Sequence, residues 1–271
     1  MGFKQLLVAG VMKRKSLLGP GHRAIEWPFF LGRIPLLRKI HPWMDRRKNT
    51  LTYLPINQSL AVEGIAAPHQ MVADFIRRTP YRVIMNNCLC RTARDCNDFP
   101  HGVGCLFLGR SALAMPPQIS RRVSEEEALE HLERAVKAGL VPFVGKVRFD
   151  NFAFLIPNED KLLSVCFCCP CCCMMAYYRH VPAEQLDEVF PRLEGLSIEV
   201  TDACRGCGVC AEHCYVKAIT LANGRAVHSP TCRGCGRCAA ICPNRAVRIT
   251  LTDPDYYQAM TKRISALVDV G

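Results

Sequence analysis

No segment of this chain places a G-x-G-x-x-G turn between a strand and a helix, and no P-loop is present. A dinucleotide or nucleoside triphosphate therefore lacks its usual backbone phosphate cradle. Gly102-Val-Gly104 comes nearest but runs into Cys-Leu-Phe without a third glycine. Three cysteines spaced by three and two residues, as a radical S-adenosylmethionine enzyme needs, occur in neither cysteine group of the middle region. No apolar run is long enough to span a bilayer. The first apolar stretch, Leu6 to Met12, ends at once in Lys13-Arg14-Lys15, and Arg46-Arg47 has no apolar segment after it, so no export signal is expected. Aromatic residues are few, 8% with two Trp. Basic stripes interleaved with aromatics are missing from the folded part, and no nucleic-acid partner is expected.

Cysteine is what the chain has in excess, 18 in 271 residues. With no secretory signal expected, that number points to a reducing cytoplasm, of an anaerobe, and to metal or redox use in preference to a disulfide scaffold. Charge is uneven: residues 1 to 50 hold eleven Lys or Arg against Glu26 and Asp45, most of the net +11. Pro20, Pro28, Pro35, Pro42 and Pro55 recur through this segment with apolar residues between them. Such spacing opposes a continuous helix and predicts an extended basic arm over residues 1–58, lying on its own domain or on an acidic protein or anionic membrane partner. The expected location is cytoplasmic, with peripheral contact on the inner membrane face.

Near the C-terminus one spacing occurs twice. Cys204, Cys207, Cys210 and Cys214 are followed 28 residues later by Cys232, Cys235, Cys238 and Cys242, then Pro243. This is the ligand pattern for two [4Fe–4S] clusters, in which the fourth cysteine of each run serves the other cluster. Cluster 1 then takes Cys204, Cys207, Cys210 and Cys242, and cluster 2 takes Cys232, Cys235, Cys238 and Cys214. Arg and two Gly repeat at matching places, and apolar runs Ala218 to Leu221 and Ala246 to Ile249 follow each copy. Glycines 206, 208, 234 and 236 suit a backbone that passes close to sulfide. Zinc ribbons use paired spacings instead.

On these motifs residues 196–252 resemble a bacterial two-cluster ferredoxin module. The resemblance implies a small pseudo-twofold α+β fold with hairpin strands flanking the clusters. Tyr215 stands where the module usually has Pro after the fourth cysteine of the first run.

The other ten cysteines lie in two groups. Cys88, Cys90, Cys96 and Cys105 offer four thiolates for a third cluster, with Arg91 to offset its charge. Cys166, Cys168, Cys169, Cys171, Cys172 and Cys173 crowd six thiols into eight residues, which packing alone does not require. Neighbours in an extended segment face opposite ways, so this run is expected to serve a fourth cluster or to share ligands between centres. Alternatives are a zinc site, a cycling vicinal disulfide, or non-cubane clusters of the kind found in heterodisulfide reductase catalytic subunits, whose widely spaced cysteine pairs are not reproduced here. Region 88–173 is also similar to cysteine-rich domains attached to ferredoxin modules in anaerobic microbes. His69, His101 and His180 read as loop or surface residues, His101 with a lesser ligand option.

Pro68 to Arg78 reads as a helix, Tyr81 to Met85 as a strand, and Ser124 with Glu127 as a capping box opening another helix. Val141–Phe149, Phe152–Ile156 and Leu162–Phe167 read as strands, Ala183–Phe190 as a helix. The fold class is α+β: the arm, a mixed α/β cysteine-rich domain over 59–195, the ferredoxin domain over 196–252, and a C-terminal helix over 253–271. The leading function is an iron–sulfur electron-transfer protein or subunit of an oxidoreductase complex, with two [4Fe–4S] clusters, one or two further clusters, and a redox protein as partner. The second is a reductase whose non-standard cluster or redox-active thiols lie in the cysteine-rich domain.

Overall fold

The computed structural model describes residues 3–31, 34, 44–55, 68–157 and 159–269. It is α+β, with one six-stranded antiparallel sheet and two two-stranded sheets. The large sheet has the order β1-β5-β6-β3-β2-β4, built from β1 (Thr50–Tyr53), β2 (Arg82–Met85), β3 (Leu106–Leu108), β4 (Ser120–Arg122), β5 (Val141–Lys146) and β6 (Leu163–Cys168).

Side chains alternate across this sheet, as strand geometry requires. Ile84, Leu106, Leu108, Val165 and Phe167 enter one core, while Val83, Met85 and Phe107 enter a second on the opposite face. The first core is covered by two helices, α4 (Pro68–Arg78) and α6 (Glu125–Lys137). Helix α6 starts as its sequence indicates, Ser124 accepting from the Glu127 N–H at 3.1 Å and Glu127 accepting from the Ser124 N–H at 2.9 Å. The last helix, α11 (Tyr256–Ser265), docks on the same core through buried Tyr256, Met260 and Ile264.

The N-terminal segment differs from the extended arm its prolines suggest. Residues 3–31 form α1 (Phe3–Lys13), α2 (Lys15–Ala24, with Pro20 inside it) and α3 (Glu26–Leu31). Short helices tolerate the prolines because burial offsets the lost hydrogen bond: Val8, Ala9, Leu18 and Phe29 are buried. An ion pair from Glu26 to Arg179, a 2.9 Å hydrogen bond between His180 Nε2 and Glu26, and a 2.8 Å hydrogen bond between Tyr177 Oη and His22 Nδ1 hold the helices on their own chain. Pro35 and Pro42 lie outside the described residues. Strand β1, read within the arm, is the edge strand of the sheet, paired with β5.

Two further readings need correction. Residues 148–153 are a helix, α7 (Arg148–Ala153), where the apolar pattern suggested strand continuing from β5 and again from Phe152. The run is short, and periodicity alone does not separate a buried strand from a helix turn. Helix α8 (Ala183–Val189) matches its expectation.

The C-terminal part pairs β7 (Leu196–Val200) with β10 (Val247–Leu251), and β8 (Ile219–Ala222) with β9 (Arg225–His228). Two one-turn helices, α9 (Val209–Glu212) and α10 (Arg237–Ala240), repeat the pattern between them. This unit packs on the large sheet through shared cores, with Tyr215, Val216 and Ala218 buried beside Tyr53, Phe143 and Phe190.

Candidate metal and redox centres

Each copy of the C-terminal repeat turns on left-handed glycines: Gly206 and Gly208 at φ 63° and 82°, Gly234 and Gly236 at 66° and 78°. A Cβ on Gly206 would sit 2.4 Å from the Gly224 carbonyl oxygen, so a side chain has no room there. These turns fold the cysteines inward. Cys204, Cys207, Cys210 and Cys242 line one cavity, and Cys214, Cys232, Cys235 and Cys238 line the other. The fourth residue of each sequence run has crossed to its partner's cavity.

The donor set suits an iron–sulfur cube. The Ala218 N–H donates to Cys214 Sγ at 3.2 Å and the Ala246 N–H to Cys242 Sγ at 3.3 Å, the same bond in each copy. Backbone N–H groups of Ala226 and Gly206 hold the Cys204 thiol below its ordinary pKa. Burial pushes Cys238 up to about 12, and nearby Cys232 and Cys214 add to it. Four thiolates that repel one another in a dry site require a cationic core, which iron supplies.

The two sites differ in exposure. Cys207 faces solvent, whereas Cys232 and Cys238 are buried against the rest of the chain. Around the buried site Arg233 binds Asp187 and the Phe190 carbonyl, each at 2.8 Å. Arg237 donates to the Gly139 carbonyl at 2.9 Å and lies over the Phe99 ring. Both arginines fasten the C-terminal unit to the sheet domain.

Tyr215 is a residue sequence reasoning noticed only as a departure from Pro. Its ring is buried, and its hydroxyl donates to the Cys168 carbonyl at 2.8 Å. One side chain thus joins the ligand position Cys214 to the cysteine run on β6. The signal available was a large polar aromatic where a turn residue is usual.

The ten remaining thiols are regrouped relative to their order in sequence. Cys88, Cys90, Cys96 and Cys105 do not form one set. Cys96 leaves its neighbours, because α5 (Leu89–Arg94) and the left-handed Asp95 (φ 54°) carry it away from them. There it meets Cys169, Cys171 and Cys172, the four Sγ atoms lying within 4.8 Å of one another. Cys171 and Cys172 share this group because residues 170–172 form a turn, not the extended segment that would have separated them. The separation of Cys168 from Cys169 follows strand alternation as expected: Cys168 joins one core, Cys169 the other.

The other six, Cys88, Cys90, Cys105, Cys166, Cys168 and Cys173, gather around an apolar chamber of about 220 Å³, five of them on its wall and Cys168 behind Cys173. Helices α1 and α2 roof it with Val11, Met12, Leu18 and His22. Cys173 Sγ lies 3.0 Å from Cys168 Sγ. Contact with Cys90 followed by burial raises the Cys88 thiol, contact with Cys105 followed by burial raises Cys166, and burial raises Cys168. Arg91 is completely buried on the wall, donating to the carbonyls of Phe167 at 2.9 Å and of Val103. Burial alone would lower its pKa, but the thiols of Cys88, Cys169 and Cys105 outweigh it and hold the guanidinium charged. Asp150, also on the wall, is pushed up to about 6 by burial.

Histidines are not brought to the thiols of the four-cysteine group as ligands. His101 Nε2 bonds the Cys96 carbonyl at 2.8 Å, not a sulfur, and His180 binds Glu26. The side chain of His69 lies outside the described residues.

Residues 196–249 match the model of the 4Fe-4S dicluster domain. Together with the four-cysteine group, that match supports an iron–sulfur protein with a ferredoxin-like domain and an electron-transfer role. No curated protein and no solved structure matches the chain.

Proposed function

We propose that this chain relays single low-potential electrons between a redox partner protein and the thiol-rich interior of its sheet domain, as a subunit of an oxidoreductase complex. The observation that carries the relay is the Tyr215 to Cys168 hydrogen bond, which ties the buried ferredoxin site to the cysteines of β6. In this reading Cys204, Cys207, Cys210 and Cys242 hold the outer [4Fe–4S] cluster, and Cys214, Cys232, Cys235 and Cys238 hold the inner one. Exposed Cys207 marks the side from which a partner delivers or removes electrons. The residues set potential through burial and N–H donors to sulfur, while bound clusters supply the one-electron chemistry.

Anaerobic iron and sulfide analysis with EPR during stepwise reduction tests this. About eight iron and eight sulfide should belong to residues 196–249, and Cys214→Ser should disturb the same cluster as Cys235→Ser. Disturbance of the Cys204 cluster by Cys214→Ser would refute the crossed assignment.

A second reading, a reductase, is favoured by one observation: the 220 Å³ chamber, with a carboxyl and six thiols at its edge. It has room for a small apolar substrate or for a further cluster. Loss of substrate turnover on Cys173→Ser, with the ferredoxin EPR signals intact, would support it over pure electron carriage.

Among the described residues no helix is long and apolar enough to cross a membrane. Leu6, Leu7, Trp27 and Phe30 are nevertheless exposed on basic N-terminal helices, Trp27 at 70%. These residues suit peripheral contact with an anionic membrane or an acidic protein, in the cytoplasm.

A further inference from the structure

The four-cysteine group differs in scale from the ferredoxin quartets. Cys96, Cys169, Cys171 and Cys172 place all four Sγ atoms within 4.8 Å of one another, and among the described residues no other trio of thiols is that close. Cys96 to Cys171 and Cys171 to Cys172 are each 3.5 Å. A single ion with four thiolates at about 2.3 Å in a tetrahedron sets sulfur edges of about 3.8 Å. A cube carries its iron at alternate corners with the thiolates radiating outward, so its ligands must stand farther apart than those of one ion. Neither ferredoxin quartet brings three sulfurs that close.

We propose that Cys96, Cys169, Cys171 and Cys172 form a mononuclear tetrathiolate centre for one Zn²⁺ or Fe²⁺, without sulfide. Its ligands come from two segments 75 residues apart, the end of α5 and the turn after β6. The ion staples these together. Cys169 also lines the six-thiol chamber, so the centre fixes one wall of that chamber. Four thiolates around a divalent ion leave two negative charges. Arg23 and Arg94 stand at the opening of the site, beside Asp95 and Asp98. Cys171 is exposed there and gives the ion an entry path. Zn²⁺ and Fe²⁺ share this ligand chemistry; only iron adds a one-electron step, Fe²⁺ to Fe³⁺, with the electron passed to an oxidised cluster.

The centre stands independently of the dicluster reading, because the two predict different sulfide. Zinc, iron and acid-labile sulfide should be measured per chain in the anaerobically purified wild type and in Cys171→Ser, a change at an exposed position. The expected result is loss of one metal ion with sulfide and ferredoxin EPR unchanged. Loss of about four iron with four sulfide would make the site a cube and overturn the proposal, as would unchanged metal content. A shortage of sulfide in the wild type itself would instead count against the ferredoxin clusters. Metal analysis separates zinc from iron, and iron would show a high-spin ferric signal on mild oxidation. Cys171→His keeps four donors and should retain one ion; after Co²⁺ replacement its visible spectrum should lose part of the thiolate charge-transfer intensity relative to wild type. Equal Co²⁺ spectra would mean that Cys171 is not a ligand.

Discussion

Tyr215 and His131 show how single buried side chains set conditions on the rest. Tyr215→Phe removes the hydroxyl that satisfies the Cys168 carbonyl in a dry site. Stability should fall by about 1–2 kcal/mol, read as a lower denaturation midpoint. Iron content should stay unchanged. His131 is buried on α6, its Nε2–H donating to the Gly104 carbonyl at 2.8 Å and its Nδ1 accepting from Arg134 at 3.2 Å. Burial lowers its pKa, and Arg134, Arg121 and Arg91 are the charged groups facing it; all are cationic. A proton on Nδ1 would face the Arg134 guanidinium. The folded chain therefore binds this proton later than the unfolded chain as pH falls. Stability from His131 is complete above about pH 6.5 and declines below it. Denaturant midpoints near pH 7 and pH 5.5 should differ more in wild type than in His131→Gln; equal differences would remove His131 as the cause.

Among the secondary-structure elements, α6 and β6 divide what was legible from what was not. The boundaries of α6 follow from Ser124, Glu127 and Gly139, all local chemistry, and the structure reproduces them. Ser124→Ala should cost about 1 kcal/mol, measured by thermal or chemical denaturation, because the Glu127 N–H loses its acceptor. For β6 the alternation of Leu163, Val165 and Phe167 against Cys166 and Cys168 follows from period two. The end of the strand was read to within one residue, Phe167 against Cys168; the turn that follows it was not legible, and that turn decides which thiols meet. A turn at 170–172 sends Cys171 and Cys172 to Cys96, while Cys173 returns to Cys168. The N-terminal helices were missed for a related reason. Prolines report a local cost but not the burial of Leu18 and Phe29 that outweighs it.

At the scale of the molecule, the burial gradient orders the centres. The outer ferredoxin site faces solvent, the inner one packs on the sheet, and the chamber lies beneath α1 and α2. Removing residues 1–31 takes away the roof formed by Val11, Leu18 and His22. Cys88 and Cys166 should then react with a thiol-alkylating reagent under anaerobic conditions several times faster, read by mass spectrometry of labelled peptides. An unchanged rate would mean that the roof does not control access. The same truncation should weaken binding to anionic vesicles or an acidic partner and flatten its salt dependence, since it deletes five of the eleven N-terminal basic residues together with the exposed Trp27.

The amino-acid sequence alone determined the repeat. Two Cys-x-x-Cys-x-x-Cys turns with glycines at left-handed positions are local geometry, and three ligands spaced that tightly are nearly a property of the chain itself. What tertiary structure decided was every grouping that joins distant segments. Cys96 with the 169–172 turn, the six thiols around one chamber, and Tyr215 against Cys168 each depend on sheet register and helix packing. Sequence spacing constrains residues within a turn of one another, whereas contacts across 47 to 75 residues depend on how the whole core packs.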